Sequence, residues 1–301
     1  MKYNKLGLSD LEVSQICLGT MTFGNPVNIV EAIELIHWAL DKGINYIDTA
    51  DIYEGYDRHS ASAGGVAEKF IGVALKGRRD KVVLTTKVGN SIGGDYVGSG
   101  LGEKHIEHQI NRSLKFLNTD YIDVYQMHKP APLTPLEESI SVFINLIKSG
   151  KIRHWGVSNF NTIEMSNLLN ICKKNDWQLP IVSQSAYSWL NRELEHEFIP
   201  LLKRNKIALN PYRILEGGLL SSKYKKGITA KKDSRLNLHP NWMSPLDDTV
   251  YKSIEKFKKE AIQFGLSPVQ YAAKWLLNQS GVPSVLVGAK RPEQIEPFLS
   301  L

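Results

Sequence analysis

The chain has 301 residues, 42% of them hydrophobic and 23% charged, the mix of an ordinary globular protein. No apolar run approaches the roughly eighteen residues of a membrane span, and Met1-Lys2-Tyr3-Asn4-Lys5-Leu6-Gly7 lacks the apolar stretch of an export signal. Cys17 and Cys172 are too few and too far apart for a disulfide framework or a zinc cluster, so a cytoplasmic location is expected. The net charge of +6 is mostly interspersed, which argues for a solvated surface and against a nucleic-acid or membrane partner. The exception is the basic run from Lys223 to Lys232, which can serve an anionic cofactor.

In chain order, residues 1–5 and 12–14 read as a short hairpin. Short apolar runs at 15–18, 44–47, 82–86, 121–127, 152–157, 181–183, 207–210 and 284–287 read as strands. Between them, residues 29–42, 104–117, 136–149, 162–174 and 194–204 carry apolar residues at helical spacing, and 247–264 and 268–279 add two helices near the end. Gly43 and Gly150 each close a helical run before a strand, the usual place for a helix-terminating glycine.

Strands that alternate with helices over this length imply a parallel sheet. No G-x-G-x-x-G turn follows the first strand, which favours closure over an open doubly wound sheet. Gly98-Ser99-Gly100-Leu101-Gly102 imitates a phosphate loop, but its spacing is wrong and it reads as a surface loop. The expected fold is α/β, a (β/α)8 TIM barrel forming one domain over residues 1–301, with an N-terminal β-hairpin and extra helices near the C-terminus.

Barrel enzymes carry their chemistry at the C-terminal strand ends. There the sequence places Asp48, Lys87, His128, Ser158-Asn159, Gln184 and Tyr212, with Tyr53 shortly after Asp48. Singly, each has a bland reading as a helix cap or a hydrogen-bonded core residue. Together they suit reduction of a carbonyl. The alkoxide that forms needs a proton, which Tyr53 can give. Lys87 can favour the phenolate, Asp48 can pair with Lys87, and His128 can hydrogen-bond the carbonyl oxygen. None of the four requires a metal.

These residues resemble the aldo-keto reductases over nearly the whole chain. The matching stretches are Leu18-Gly-Thr-Met-Thr-Phe-Gly24, Gly43-Ile-Asn-Tyr-Ile-Asp-Thr-Ala-Asp-Ile-Tyr53, Thr85-Thr-Lys-Val-Gly89, Tyr121-Ile-Asp-Val-Tyr-Gln-Met-His128 and Gly156-Val-Ser-Asn-Phe160. The resemblance implies a catalytic tetrad of Asp48, Tyr53, Lys87 and His128, with hydride coming from C4 of a nicotinamide. It implies cofactor contacts from Gly19, Thr20, Met21 and Asp48, carboxamide contacts from Ser158, Asn159 and Gln184, and ring stacking on Tyr212. The segment from Leu215 through Gly217, Leu219 and Ser221 to Lys223 resembles the loop over the pyrophosphate. Gly288, Lys290 and Gln294, with Arg291, resemble the segment that meets the adenosine 2′-phosphate, Lys290 making the charge-assisted contact. The cofactor is thus expected to be NADPH (NADP+) rather than NADH, and the partner a small carbonyl compound met by a monomer. Phe23, Tyr53, His128, Trp189 and Trp242 are the candidate pocket residues.

Three departures from the family pattern stand out. Arg213-Ile-Leu215 replaces Ser-Pro-Leu, adding a cation that can meet a diphosphate or an acidic substrate, or form a surface salt bridge. Pro297-Phe298 replaces the usual Glu-Asn, removing expected adenine contacts. The chain stops at Leu301, which leads to the expectation of an open substrate site. Two other readings compete: a cofactor-binding regulatory subunit, like the channel β-subunits that share this barrel, and a lyase using Lys87 as a Schiff-base amine.

Overall fold

The computed structural model describes residues 1–56, 58–59, 61–96, 98–224, 235–239 and 246–301. Strands β1 (Tyr3–Lys5) and β2 (Glu12–Ser14) form the antiparallel hairpin, with Tyr3 opposite Ser14 and Lys5 opposite Glu12. Leu6, Leu11 and Val13 pack beneath Cys17, Tyr46, Val83, Val124, Ile181, Val182 and Ala208, so the hairpin plugs the N-terminal end of the barrel with apolar side chains.

The barrel strands are β3 (Ile16–Gly19), β4 (Tyr46–Asp48), β5 (Val83–Val88), β6 (Ile122–Met127), β7 (Ile152–Ser158), β8 (Val182–Ala186), β9 (Ala208–Tyr212) and β10 (Val285–Gly288). All their pairings are parallel, in the order β10-β3-β4-β5-β6-β7-β8-β9. β9 and β10 lie side by side, and the Leu209 N–H donates to Gly281 O at 2.8 Å, nearly closing the barrel. The strand runs sit within one or two residues of the expected bounds at their starts. Several extend further at the C-terminal end, because the polar residues there keep the ladder going.

Around the barrel lie α1 (Ile29–Asp41), α2 (Val66–Ala74), α3 (Glu103–Leu117), α4 (Leu136–Lys148), α5 (Thr162–Lys174), α6 (Phe198–Arg204), the single turn α7 (Arg235–Leu238), α8 (Asp248–Gln263) and α9 (Pro268–Leu277). Three of them start on reciprocal caps: Asn28 with Glu31, Asn161 with Glu164, and Ser267 with Gln270, each worth about 1 kcal/mol. Gly43 and Gly150 take the positive φ values of 82° and 75° that helix ends ask of glycine. The helix layer meets the barrel wall through rings: Phe143 stacks on Tyr125 at 5.2 Å and leans on Trp155 at 5.8 Å.

Three helices differ from the sequence expectation: α2, α6 and the single turn α7, which no periodic run marks. Helix α2 lies outside the helices the sequence marks, because Gly65, the residue before it, offers no capping side chain. Helix α6 begins later than residue 194, since Glu193–Glu195 form a separate 3-10 turn. Residues 98–102 are irregular, as expected, with Gly98 bridged to Ile92 and Gly102 leading into α3.

Candidate active site

At the C-terminal end of the barrel, β4 and β5 bring Asp48 and Lys87 together. Lys87 Nζ donates to Asp48 Oδ2 at 2.7 Å and to Thr49 O at 2.8 Å, and reaches the Tyr53 hydroxyl at 3.5 Å. Tyr53 is placed by the turn after β4, where its N–H bonds Ala50 O and its carbonyl accepts from the Ala67 N–H of α2. His128 follows β6 directly, its N–H held by Val88 O at 2.8 Å. Its ring meets that of Tyr53 edge-on, with centroids 5.8 Å apart and planes at 80°. Four groups from two loops and two strand ends thus converge.

Their electrostatics follow from burial. Lys87 is fully buried; loss of hydration works against its charge, but Asp48 and Tyr53 outweigh it and the ammonium is held more firmly than usual. Loss of hydration pushes the Tyr53 phenol up; Lys87 pulls it down by less. The expected lowering of the phenol by Lys87 is therefore present as one contribution, and burial overrides it. His128 is held well below the ordinary imidazole range by burial first, then by Lys87, Lys129 and Arg58. Its Nδ1 is buried and has no hydrogen-bond partner among the described residues.

The positions expected to meet a nicotinamide lie next to this group. Gln184 donates its amide to Asp48 Oδ1 at 2.7 Å. Asn159 donates to His128 O at 2.9 Å and to Ser158 Oγ at 3.0 Å, while the Tyr212 hydroxyl donates to Asn159 Oδ1 at 2.7 Å. Thr20 ties β3 to β4 by bonding Asp48 O through both its N–H and its hydroxyl, between buried Gly19 and half-buried Met21. The turn from Leu215 to Ser221 kinks at Gly217 and Gly218, and the Ser221 hydroxyl closes it on Gly218 O at 2.7 Å. Beyond β10, among the described residues no atom other than those of its chain neighbours lies within 4 Å of where a Cβ on Gly288 would stand, and the Lys290 N–H is fixed by Gln294 Oε1 at 2.7 Å.

A model of the aldo/keto reductase family matches residues 15–301. The chain belongs to the aldo/keto reductase family. Aldo-keto reductase YhdN of Bacillus subtilis (strain 168) is 34% identical over 98% of this chain and 87% of its own length. A probable voltage-gated potassium channel subunit beta of Oryza sativa subsp. japonica is also 34% identical, over 98% of this chain and 89% of its own. Protein tas of Escherichia coli (strain K12) is 30% identical over 98% of this chain and 91% of its own. Family membership makes this chain an oxidoreductase of the nicotinamide-dependent, carbonyl-reducing kind. Among the described residues, no helix is long and apolar enough to cross a membrane.

Against the aldo/keto reductase pattern, several expected site residues are already occupied. Arg213, at φ 59°, forms an ion pair with buried Glu216 at 3.2 Å, and Ser188 also donates to Glu216 at 2.8 Å. Phe23 is fully buried in the hydrophobic core and presents no face to a pocket. Leu219 is equally buried, against Tyr224 and Ile254. Trp189 packs edge-on against Phe257 at 5.4 Å and donates to Glu260 at 3.0 Å, the packing role open to any barrel tryptophan. Phe298 also lies in the core, inside the 3-10 turn Glu296–Phe298. Lys223 is exposed, while residues 225–232 of the basic run, and Trp242, lie outside the described residues.

One group near the site has no counterpart in the sequence reading. Tyr56, three residues beyond Tyr53, lies under Lys290 Nζ at 5.2 Å from its ring centroid and edge-on to His239 at 5.0 Å. Nothing in the spacing of Tyr56 signals this, because the contact joins the loops after β4 and β10.

Proposed function

We propose that this enzyme reduces aldehydes or ketones to alcohols with NADPH, Tyr53 serving as the proton donor. The observation that carries the reading is the connected line Asp48–Lys87–Tyr53, with His128 edge-on to the phenol at 5.8 Å.

The residues present fit a nicotinamide cofactor. The open space over Gly288 admits a group that a side chain would exclude, and Tyr212 is only half-buried beside Asn159. Ser158, Asn159 and Gln184 would hold the carboxamide, Tyr212 the ring, the turn from Leu215 to Ser221 the pyrophosphate, and Lys290 the 2′-phosphate. When bound, the cofactor supplies a hydride from C4 to the carbonyl carbon.

The chain's own groups then manage the oxygen. His128, kept neutral, hydrogen-bonds the carbonyl oxygen and orients it. Tyr53, kept protonated by burial, gives its phenolic proton as negative charge develops there. Lys87 stabilises the phenolate left behind, and Asp48 fixes Lys87 so that its charge is not buried alone. Gln184 couples the two halves of the site, since its amide donates to the carboxylate that orients Lys87.

Titration with NADPH and then NADH, followed by protein fluorescence, tests the cofactor. Tight NADPH-selective quenching supports the reading; no quenching by either sinks it. A second reading, a cofactor-binding regulatory subunit, draws on the relative described as a potassium channel subunit beta, which is as similar as YhdN. Tight NADPH binding with negligible turnover across a broad aldehyde panel would favour that subunit role.

A further inference from the structure

We propose that Tyr56 is a positioning residue for cofactor choice: its ring seats the Lys290 ammonium where the 2′-phosphate would lie, so that selection of NADPH over NADH depends on that ring. The inference rests on the reading of Lys290 given above and adds the group that aims it.

Three loops at the barrel mouth are stitched together around this contact. After β10, the Ala289 carbonyl accepts from the Thr22 hydroxyl at 3.0 Å, which ties it to the loop after β3. That loop is tied in turn to the one after β4, because the Tyr56 N–H donates to Asn25 O at 2.9 Å. Gly55 makes the approach possible: at φ +93°, a Cβ there would run into the Asn25 backbone. The ring of loops closes through side chains, with Lys290 Nζ 5.2 Å from the Tyr56 ring centroid.

Tyr56 is itself held from a second element. His239, which follows α7, meets its ring at 5.0 Å with the planes at 67°. Tyr56, His239 and Lys290 are all half-buried, so the cluster sits at the rim, within reach of a ligand.

The charge on Lys290 is not spent on an ion pair. Among the described residues no carboxylate pairs with it, and its backbone N–H is fixed separately by Gln294 Oε1 at 2.7 Å. Its neighbour Arg291, by contrast, stands three-quarters exposed and 4.0 Å from Glu293. An ammonium on an aromatic face is attracted by the ring but keeps N–H donors for a phosphate oxygen on its open side. The contact also restricts a long, flexible side chain beside the open space over Gly288. A lysine free to swing must be immobilised when it takes a phosphate, whereas one already resting on Tyr56 has given up much of that freedom. NADH, which lacks the 2′-phosphate, gains nothing from this ordering.

Calorimetric titration of the full chain with adenosine 2′,5′-bisphosphate and with adenosine 5′-monophosphate reads the 2′-phosphate without turnover. NADPH and NADH repeat the comparison with whole cofactors. Tyr56→Leu is expected to weaken the bisphosphate and NADPH by about threefold to tenfold, the range for losing one pre-ordered side chain, while the monophosphate and NADH change little. Tyr56→Phe, which keeps the ring, is expected to keep the wild-type selectivity. In a Lys290→Ala background, Tyr56→Leu is expected to add nothing. A wild type that does not distinguish the two members of each pair overturns the proposal, as does equal weakening of all the ligands or an undiminished preference in Tyr56→Leu. An effect of Tyr56→Leu that persists in full without Lys290 also overturns it. If Tyr56→Leu does not fold, Tyr56→Gln takes its place in the same comparison. Failure of the Lys290 reading is separable, because Lys290→Ala alone would then bind NADPH and the bisphosphate at wild-type strength.

Discussion

Lys87 Nζ lies 2.7 Å from Asp48 Oδ2, and neither side chain is more than 2% exposed. Such a pair is held by geometry rather than by net gain: its formation roughly offsets desolvation, whereas removing one partner strands the other. Asp48→Ala is therefore expected to cost about 3–5 kcal/mol in urea unfolding. Lys87→Met is expected to cost less, because Asp48 keeps the Gln184 amide as a partner. Equal and small losses would show that the pair is hydrated in solution.

The imidazole of His128 titrates below its ordinary value of 6.5, so the folded protein binds fewer protons here than the unfolded chain does. Its contribution to stability is present above that ordinary value and is lost as pH falls toward the folded-state value. His128→Gln should flatten the decline of the thermal midpoint between neutral and mildly acid pH. His105, also held down by burial, keeps part of the slope in either protein.

Lys290 is fixed through its N–H by Gln294 and through its ammonium by the Tyr56 ring. An ammonium lying on an aromatic face still has N–H donors for a phosphate on its open side. Lys290→Ala is expected to weaken NADPH binding by about tenfold or more, one charge-assisted hydrogen bond, with little effect on NADH. Parallel losses for both cofactors in a fluorescence titration would place the 2′-phosphate elsewhere.

The barrel and the four convergent groups are legible in the sequence because both rest on local rules. Apolar runs mark strands, and the polar residue that ends each run stands at the barrel mouth, as Asp48, Lys87 and His128 do. Helix α2 is not legible, since Gly65 offers no cap and the segment is short. Phe23 and Trp189 show the second limit: which way a loop aromatic faces depends on distant partners, the core for one and Glu260 for the other. The bond between Gln184 and Asp48 spans 136 residues, and no local pattern announces it. Asp51 reads in sequence as a link between Asp48 and Tyr53; only the close approach of Gly64 to its carbonyl shows that the chain folds over it and buries it fully.

The role of Tyr53 is tested most directly by following NADPH oxidation with a panel of small aldehydes and ketones in the wild type and in Tyr53→Phe. Wild-type turnover that falls about 10²–10⁴-fold in the variant, the usual span for losing a proton donor, is the expected result, with NADPH quenching unchanged. Turnover in Tyr53→Phe equal to that of the wild type would remove the phenol from the chemistry and contradict the account.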